Sequence, residues 1–191
     1  LHHEKRFNPE KAARLLDPER YRKLPPEQII QYLEIDSTDV IADFGCGNGF
    51  FTLPFAEQTQ SLVYAVDVEE KMLDLLKERV NEAGLDHFKY IVNDLGVIPI
   101  PNHEIDKWIC SLVLHEVDDL EQTIQELKRV MKPTGKGLIL EWSPRQTDSG
   151  PPLHHRITPE KLQSLFHKHD VWTEVVSVHP DFYALRVSLI K

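Results

Sequence analysis

Three glycines at alternate positions behind a short apolar run constrain this chain more than anything else in it. They stand in "VIADFGCGNGFF", residues 40–51, as Gly45, Gly47 and Gly49. Residues 40–44 read as a short buried strand, and residues 48–58, "NGFFTLPFAEQ", as the helix that follows. Pro54 is tolerated there because first-turn N–H groups have no intrahelical partner. Glycine is costly in a folded backbone, so three of them at a strand–helix junction imply more than a tight turn. They imply a ligand lying against bare backbone, where open α/β sheets bind ligands, beyond the carboxyl ends of the strands.

The remainder of the chain repeats the strand-then-helix pattern. Strands are expected at residues 61–67, 88–94, 106–114 and 135–142. Helices are expected at 25–35 after Pro25-Pro26, at 69–84 closed by Gly84, and at 120–131 before Pro133. Thr158, Pro159 and Glu160 make an efficient start for a last helix, after a Pro/Gly/Ser loop at 143–157. Residues 171–179 and 183–191 alternate as a closing pair of strands. The fold class is therefore α/β: a three-layer, Rossmann-like, mostly parallel seven-stranded sheet with helices on both faces and an antiparallel strand at the C-terminal edge. Residues 1–35 read as an N-terminal helical cap over a domain at 36–191.

The spacing of the glycines separates candidate ligands. A dinucleotide loop needs its third glycine at position 50, where this chain has Phe50, and a P-loop needs Gly-Lys-Ser/Thr, whereas no lysine follows these glycines. Asp43, just before the glycines, is a poor neighbour for pyrophosphate and a good one for a cation.

Composition narrows the classes further. A formal net charge of −9 over 191 residues lacks the basic footprint of a nucleic-acid binder. No apolar run has the length of a membrane span. Two cysteines, Cys46 and Cys110, both in apolar surroundings, make no disulfide framework and suit a reducing cytoplasm. Ten histidines raise the question of a metal, but His2-His3, His154-His155 and His167/His169 have no zinc-site spacing, so no metal is expected.

Four stretches carry a family resemblance: "VIADFGCGNGFFTLPFA", "YAVDVEEKML", "VNDLGVIPIP" and "HEIDKWICSLVLHEVDD". In this order and spacing the chain resembles class I S-adenosylmethionine-dependent methyltransferases. It is most similar to the small methyltransferase-domain proteins related to the ubiquinone and menaquinone C-methyltransferases, over roughly residues 25–142. The resemblance implies S-adenosylmethionine as cofactor. Gly45, Cys46 and Gly47 would pass along its methionine moiety, with Asp43 helping to hold the ammonium end. Asp67 would accept from the ribose hydroxyls, as an acceptor-only carboxylate can. Val68 and Met72 would pack on the adenine, Asp94 would take its amino group and the Leu95 N–H a ring nitrogen. Ser111 and Leu112 would lie near the bound cofactor. The family's usual Pro-Gly-Gly turn is Pro133-Thr134-Gly135 here, away from the cofactor.

Methyl transfer from a sulfonium is an in-line displacement in which much of the catalysis is alignment and water exclusion. The acceptor is therefore silent in the sequence; a small molecule is expected, because only the N-terminal segment and the 143–157 loop are available to build a lid. His115, at the end of the fourth strand, is the candidate catalytic residue, since its pKa suits proton transfer. Glu116 and Glu141 are weaker candidates, and Phe7, Tyr21 and Trp142 are candidate pocket walls. Cys46, without a positioned histidine, is no nucleophile. A non-catalytic cofactor-binding or scaffolding protein on the same fold, or a related transferase, remains the alternative.

Overall fold

Strands β1 (Ile41–Phe44), β2 (Val63–Asp67), β3 (Phe88–Val92), β4 (Ile105–Ser111), β5 (Met131–Trp142), β6 (Val171–His179) and β7 (Phe182–Leu189) join in one sheet. Their order is β3-β2-β1-β4-β5-β7-β6 in the computed structural model, which describes residue 12 and residues 15–189. Phe7, His2 and His3 lie outside the described residues, as does most of the expected cap before residue 15.

β1 is parallel to β2 on one side and β4 on the other, with Ile41 opposite both Val63 and Lys107. Flanked on both edges and covered on both faces, its four residues are all buried, which is why the strand reads as unbroken apolar sequence. β7 runs antiparallel to both β5 and β6, so the expected antiparallel strand is present and β6 forms the edge itself.

The period of two sorts the core into layers. Ala42, Phe44, Tyr64, Val66, Trp108 and Cys110 face α5 (Leu120–Val130) and α6 (Pro159–Lys168), which contribute Ile124, Leu127, Leu162 and Phe166. Ile41, Val63, Ile109, Leu138 and Leu140 face the other way. They meet Leu24, which follows α1 (Pro18–Lys23), Ile29 of α2 (Pro26–Ile29) and Phe55 of α3 (Thr52–Ala56). α4 (Glu70–Glu82) covers Ala65 through Leu73 and Leu76. Thr158 caps α6 as expected, accepting the Lys161 N–H at 3.2 Å, and Asp119 caps α5 through Gln122 at 2.9 Å.

Three elements depart from expectation. The helix expected over 48–58 is confined to Thr52–Ala56, because Gly49 at φ +94° keeps the chain in a turn. The 25–35 helix breaks into α2 and a 3-10 turn at Ile30–Leu33, ended by Glu34 at φ +51°. β5 leaves α5 without a loop, at Met131 rather than 135. Its register slips between the Ile105–Met131 and Lys107–Lys136 pairs, which absorbs Pro133 and Gly135 in an irregularity.

Candidate functional site

Chain order reverses at β1: the chain moves outward to β2 and β3, then returns to pair β4 on the opposite side. That switch point opens the crevice beyond the carboxyl ends of β1 and β4. A cavity of about 770 Å³ occupies it, lined by all eleven candidate cofactor residues, Asp43, Gly45, Cys46, Gly47, Asp67, Val68, Met72, Asp94, Leu95, Ser111 and Leu112, and by the catalytic candidate His115. Glu116 and Trp142 also line it. Tyr21 packs instead behind the wall, on Phe50 at 4.6 Å between ring centroids. Glu141 stands beneath His115.

The glycines serve the chain itself before any ligand. A Cβ on Gly45, at φ +78°, would lie 2.1 Å from Val113 Cγ2, and one on Gly49 would lie 2.5 Å from Leu76 Cδ1. Left-handed backbone and close packing on the β4 loop and α4 thus demand two of the three, so the tight turn needs glycine in its own right, in addition to any ligand. The loop is pinned by Gly45 and Cys46 N–H groups on the Val66 carbonyl, at 2.7 and 3.0 Å.

Both oxygens of Asp67 already hold backbone: Oδ2 accepts the Gly47 N–H at 2.8 Å and Oδ1 the Glu69 N–H at 2.9 Å. Each keeps a further lone pair. Burial raises the Asp67 pKa, while these two hydrogen bonds oppose the rise. Asp43 is 2% exposed and accepts from Thr52 Oγ1 at 2.7 Å. Burial pushes its pKa up to about 7, with Thr52 lowering it, Asp67 adding to the rise and Arg20 opposing it. Burial likewise holds the Cys46 thiol well above its usual range, so it stays protonated and inert. Asp94 is exposed, with Oδ1 on the Gly96 N–H at 3.0 Å. The Leu95 N–H, expected to face a ligand, is instead taken by Asn93 Oδ1 at 2.8 Å, with Leu95 at φ +69°.

At the far end of β4, His115 is 8% exposed and Glu141 fully buried. Glu141 Oε2 lies 2.9 Å from His115 Nδ1, Oε1 accepts the His115 backbone N–H at 3.2 Å, and Oε2 that of Trp142 at 3.1 Å. Glu116 Oε1 lies 3.6 Å from Nε2. Burial alone would lower the imidazole pKa, but the Glu141 charge and then Glu116 outweigh it and raise it to about 9. His115 is therefore a cation at neutral pH, a proton donor rather than the base.

Arg20, Asn48, Phe182 and Arg156 carry no signal in the sequence. Arg20 and Phe182 come from opposite ends of the chain, and Asn48 stands inside the glycine loop, where only the alternating residues draw notice. Arg156 ties down the 143–156 loop, donating to the carbonyls of Pro151, Ser143, Arg145 and Ser149 and to Thr147 Oγ1 at 2.7–3.2 Å. Its guanidinium sits 5.2 Å over the Trp142 ring. Among the described residues three buried side-chain atoms lack any hydrogen-bond partner: Arg20 Nε, Asn48 Oδ1 and Ser111 Oγ. All three residues line this one cavity. Buried polar groups are seldom left so, and their concentration here marks a place for a polar ligand.

The family described as "Methyltransferase domain" matches residues 42–139, from β1 to β5. The ubiquinone/menaquinone biosynthesis C-methyltransferase of Shewanella sediminis is 26% identical over 161 residues, 78% of this chain and 64% of that protein. The 2-phytyl-1,4-naphtoquinone methyltransferase of Trichormus variabilis is 28% identical over 119 residues, 61% of this chain and 52% of that one. The chain thus spans less than two thirds of either relative. A crystal structure of a SAM dependent methyltransferase from Aquifex aeolicus superposes with a TM-score of 0.89 at 26% identity, over 97% of this chain and 100% of that one. The chain belongs to the methyltransferase domain family, and its fold is that of class I S-adenosylmethionine-dependent methyltransferases.

Proposed function

We propose that the chain methylates a small molecule held between the glycine loop, the N-terminal cap and the 143–157 loop, and that a planar ring bearing oxygen is the acceptor type. The observation carrying this reading is the position of His115, a buried imidazolium facing a cavity walled by Phe50, Phe51, Trp142 and Phe182. A cationic N–H donor favours the ionised, phenolate form of a hydroxylated ring, the nucleophile that remains once its proton has gone to solvent, and aromatic walls suit a flat ring. Two relatives have quinones in their names, in keeping with such an acceptor.

The residues present fit the cofactor. Asp43 suits the ammonium group, the Gly45–Gly47 backbone the methionine chain, Asp67 the ribose diol, Val68 and Met72 the adenine face, and Asp94 the adenine amino group. Leu95 would have to exchange Asn93 Oδ1 for the ligand. Ser111 and Leu112 lie beside the same path. When bound, S-adenosylmethionine supplies a methyl group already activated for displacement. The chain's own residues then align the acceptor, exclude water and hold a positive charge at His115 Nε2.

Residues 1–35 act as a cap in this reading, and of its described elements α1 brings Arg20 and Lys23 to the cavity. Among the described residues no helix is long and apolar enough to cross a membrane. Both cysteines are free and buried, which fits a reducing compartment such as the cytoplasm.

Calorimetric titration tests the cofactor half. S-adenosylmethionine and S-adenosylhomocysteine should bind at micromolar levels, NADH should not, and Asp67→Ala should lose both. Failure of the first two to bind would leave only the fold and the non-catalytic alternative. The acceptor half is tested with labelled methyl donor and simple hydroquinones. Transfer to amines or thiols but never to hydroxylated rings would refute the acceptor type.

A further inference from the structure

Arg20 is an arginine whose charge has no evident purpose in the fold. Among the described residues its guanidinium makes one hydrogen bond, from Nη1 to the Leu15 carbonyl at 3.3 Å, and Nε makes none while shut off from solvent. The group lies 4.2 Å over the Phe50 ring, so its stem and plane are fixed by packing. The neighbouring cation, Lys23, is spoken for: Asp181 and Glu19 stand 3.0 and 3.2 Å from its Nζ. Among the described residues of the cap, Arg20 is therefore the cation left with unused donors at the cavity.

Its place in the cavity says what it lacks. Asp43 is near enough for each charge to act on the other's titration, and burial lowers the Arg20 pKa to about 10 against that pull. No hydrogen bond joins the two; Asp43 is occupied by Thr52. One buried anion and one buried cation, separate and each underused, complement a zwitterion. The amino-acid end of the cofactor is a zwitterion, an ammonium and a carboxylate on one carbon.

We propose that Arg20 binds the α-carboxylate of S-adenosylmethionine, pairing with Asp43 on the ammonium so that the cap and the glycine loop close together on the amino-acid end. This rests on the cofactor reading. A guanidinium presents adjacent N–H groups in a fork that matches a carboxylate, and a small adjustment of residues 15–24 would turn the unpaired Nε edge toward it. The cap would thereby be coupled to cofactor occupancy, because its only unpaired buried donor among the described residues is satisfied when the carboxylate arrives.

The test compares two ligands that share adenine, ribose and sulfur and differ at the amino-acid end: S-adenosylhomocysteine and 5′-methylthioadenosine. Affinities of wild type, Arg20→Met and Arg20→Lys are measured by calorimetry. Arg20→Met should weaken S-adenosylhomocysteine by about 10–100-fold, the value of a charge-assisted pair, and leave 5′-methylthioadenosine unchanged. Retained binding of the truncated ligand also reports that the variant is folded. Unchanged S-adenosylhomocysteine affinity would overturn the assignment. So would an equal loss of both ligands in Arg20→Lys, which keeps charge and stem but cannot form the fork and should weaken the full ligand selectively. Wild-type protein that bound neither ligand would overturn the cofactor reading itself, an outcome distinct from either failure in the variants.

Discussion

Glu141 holds Nδ1 of His115 at 2.9 Å from a position fully shut off from solvent, and a second oxygen of the same carboxylate takes the His115 backbone N–H. The carboxylate thus orients the ring and charges it at once. In the folded protein His115 titrates near pH 9, against an ordinary value of 6.5. A raised histidine pKa contributes stability that is complete below pH 6.5 and is lost as pH rises through 9. Wild-type stability should therefore decline across that window, and Glu141→Gln should flatten the decline while destabilising the protein by about 1–3 kcal/mol at about pH 6. Urea unfolding at several pH values, with NMR titration of the His115 ring, checks it; a ring titrating at its ordinary value in wild type contradicts it.

Asp43 is the opposite case, an acid whose pKa burial raises to about 7. Between its unfolded value of 3.8 and about 7 the folded state holds a proton that the unfolded state has released. Its contribution to stability therefore falls as pH rises through that range. A cationic ligand favours the carboxylate, so binding should release a proton, and S-adenosylhomocysteine affinity should weaken as pH drops below about 7. Asp43→Asn should bind weakly and without this pH dependence. Calorimetry in buffers of different ionisation enthalpy reads the proton directly.

Gly45→Ala places a Cβ 2.1 Å from Val113 Cγ2 at a backbone angle that L-residues avoid. Left-handed strain and overpacking together should cost about 2–5 kcal/mol. Gly84→Ala meets the first cost without the second, since no atom lies within 4 Å of its added Cβ at φ +70°, and should lose only about 1–2 kcal/mol. Similar losses from the two in thermal or urea unfolding would mean that Val113 yields freely.

Arg156→Ala removes five hydrogen bonds from the 143–156 loop and the cation above Trp142. Limited proteolysis should then cut within residues 144–152, where wild type resists. If the loop faces the acceptor, as the proposed function has it, cofactor affinity should change little while acceptor KM rises. A fall in S-adenosylhomocysteine affinity of more than a few-fold would show the loop supports the cofactor instead.

Much of the site is legible in the order of residues. Asp43, Asp67 and Asp94 stand at or just beyond the ends of successive apolar runs, and a parallel sheet places such positions along one edge whatever the details of packing. The helix start at Thr158 follows from side-chain capping, a local interaction that sequence records directly. The short α3 and the split of the 25–35 helix are not legible there. In both, a residue in left-handed backbone, Gly49 at φ +94° and Glu34 at φ +51°, bounds the helical hydrogen bonds, and hydrophobic periodicity does not mark where such a residue falls.

By itself the sequence determined the alternation of elements, the parallel sheet and the glycine loop with its flanking carboxylates, since these rest on periodicity and on local backbone chemistry. Tertiary structure alone decided that Gly45 answers to Val113, that Glu141 charges His115 across 26 residues of chain, and that Arg20 of the cap shares a cavity with Asp43. Those relationships depend on burial and on distances between segments remote in sequence. Burial sets the protonation state of a carboxylate or an imidazole, and no spacing rule encodes it.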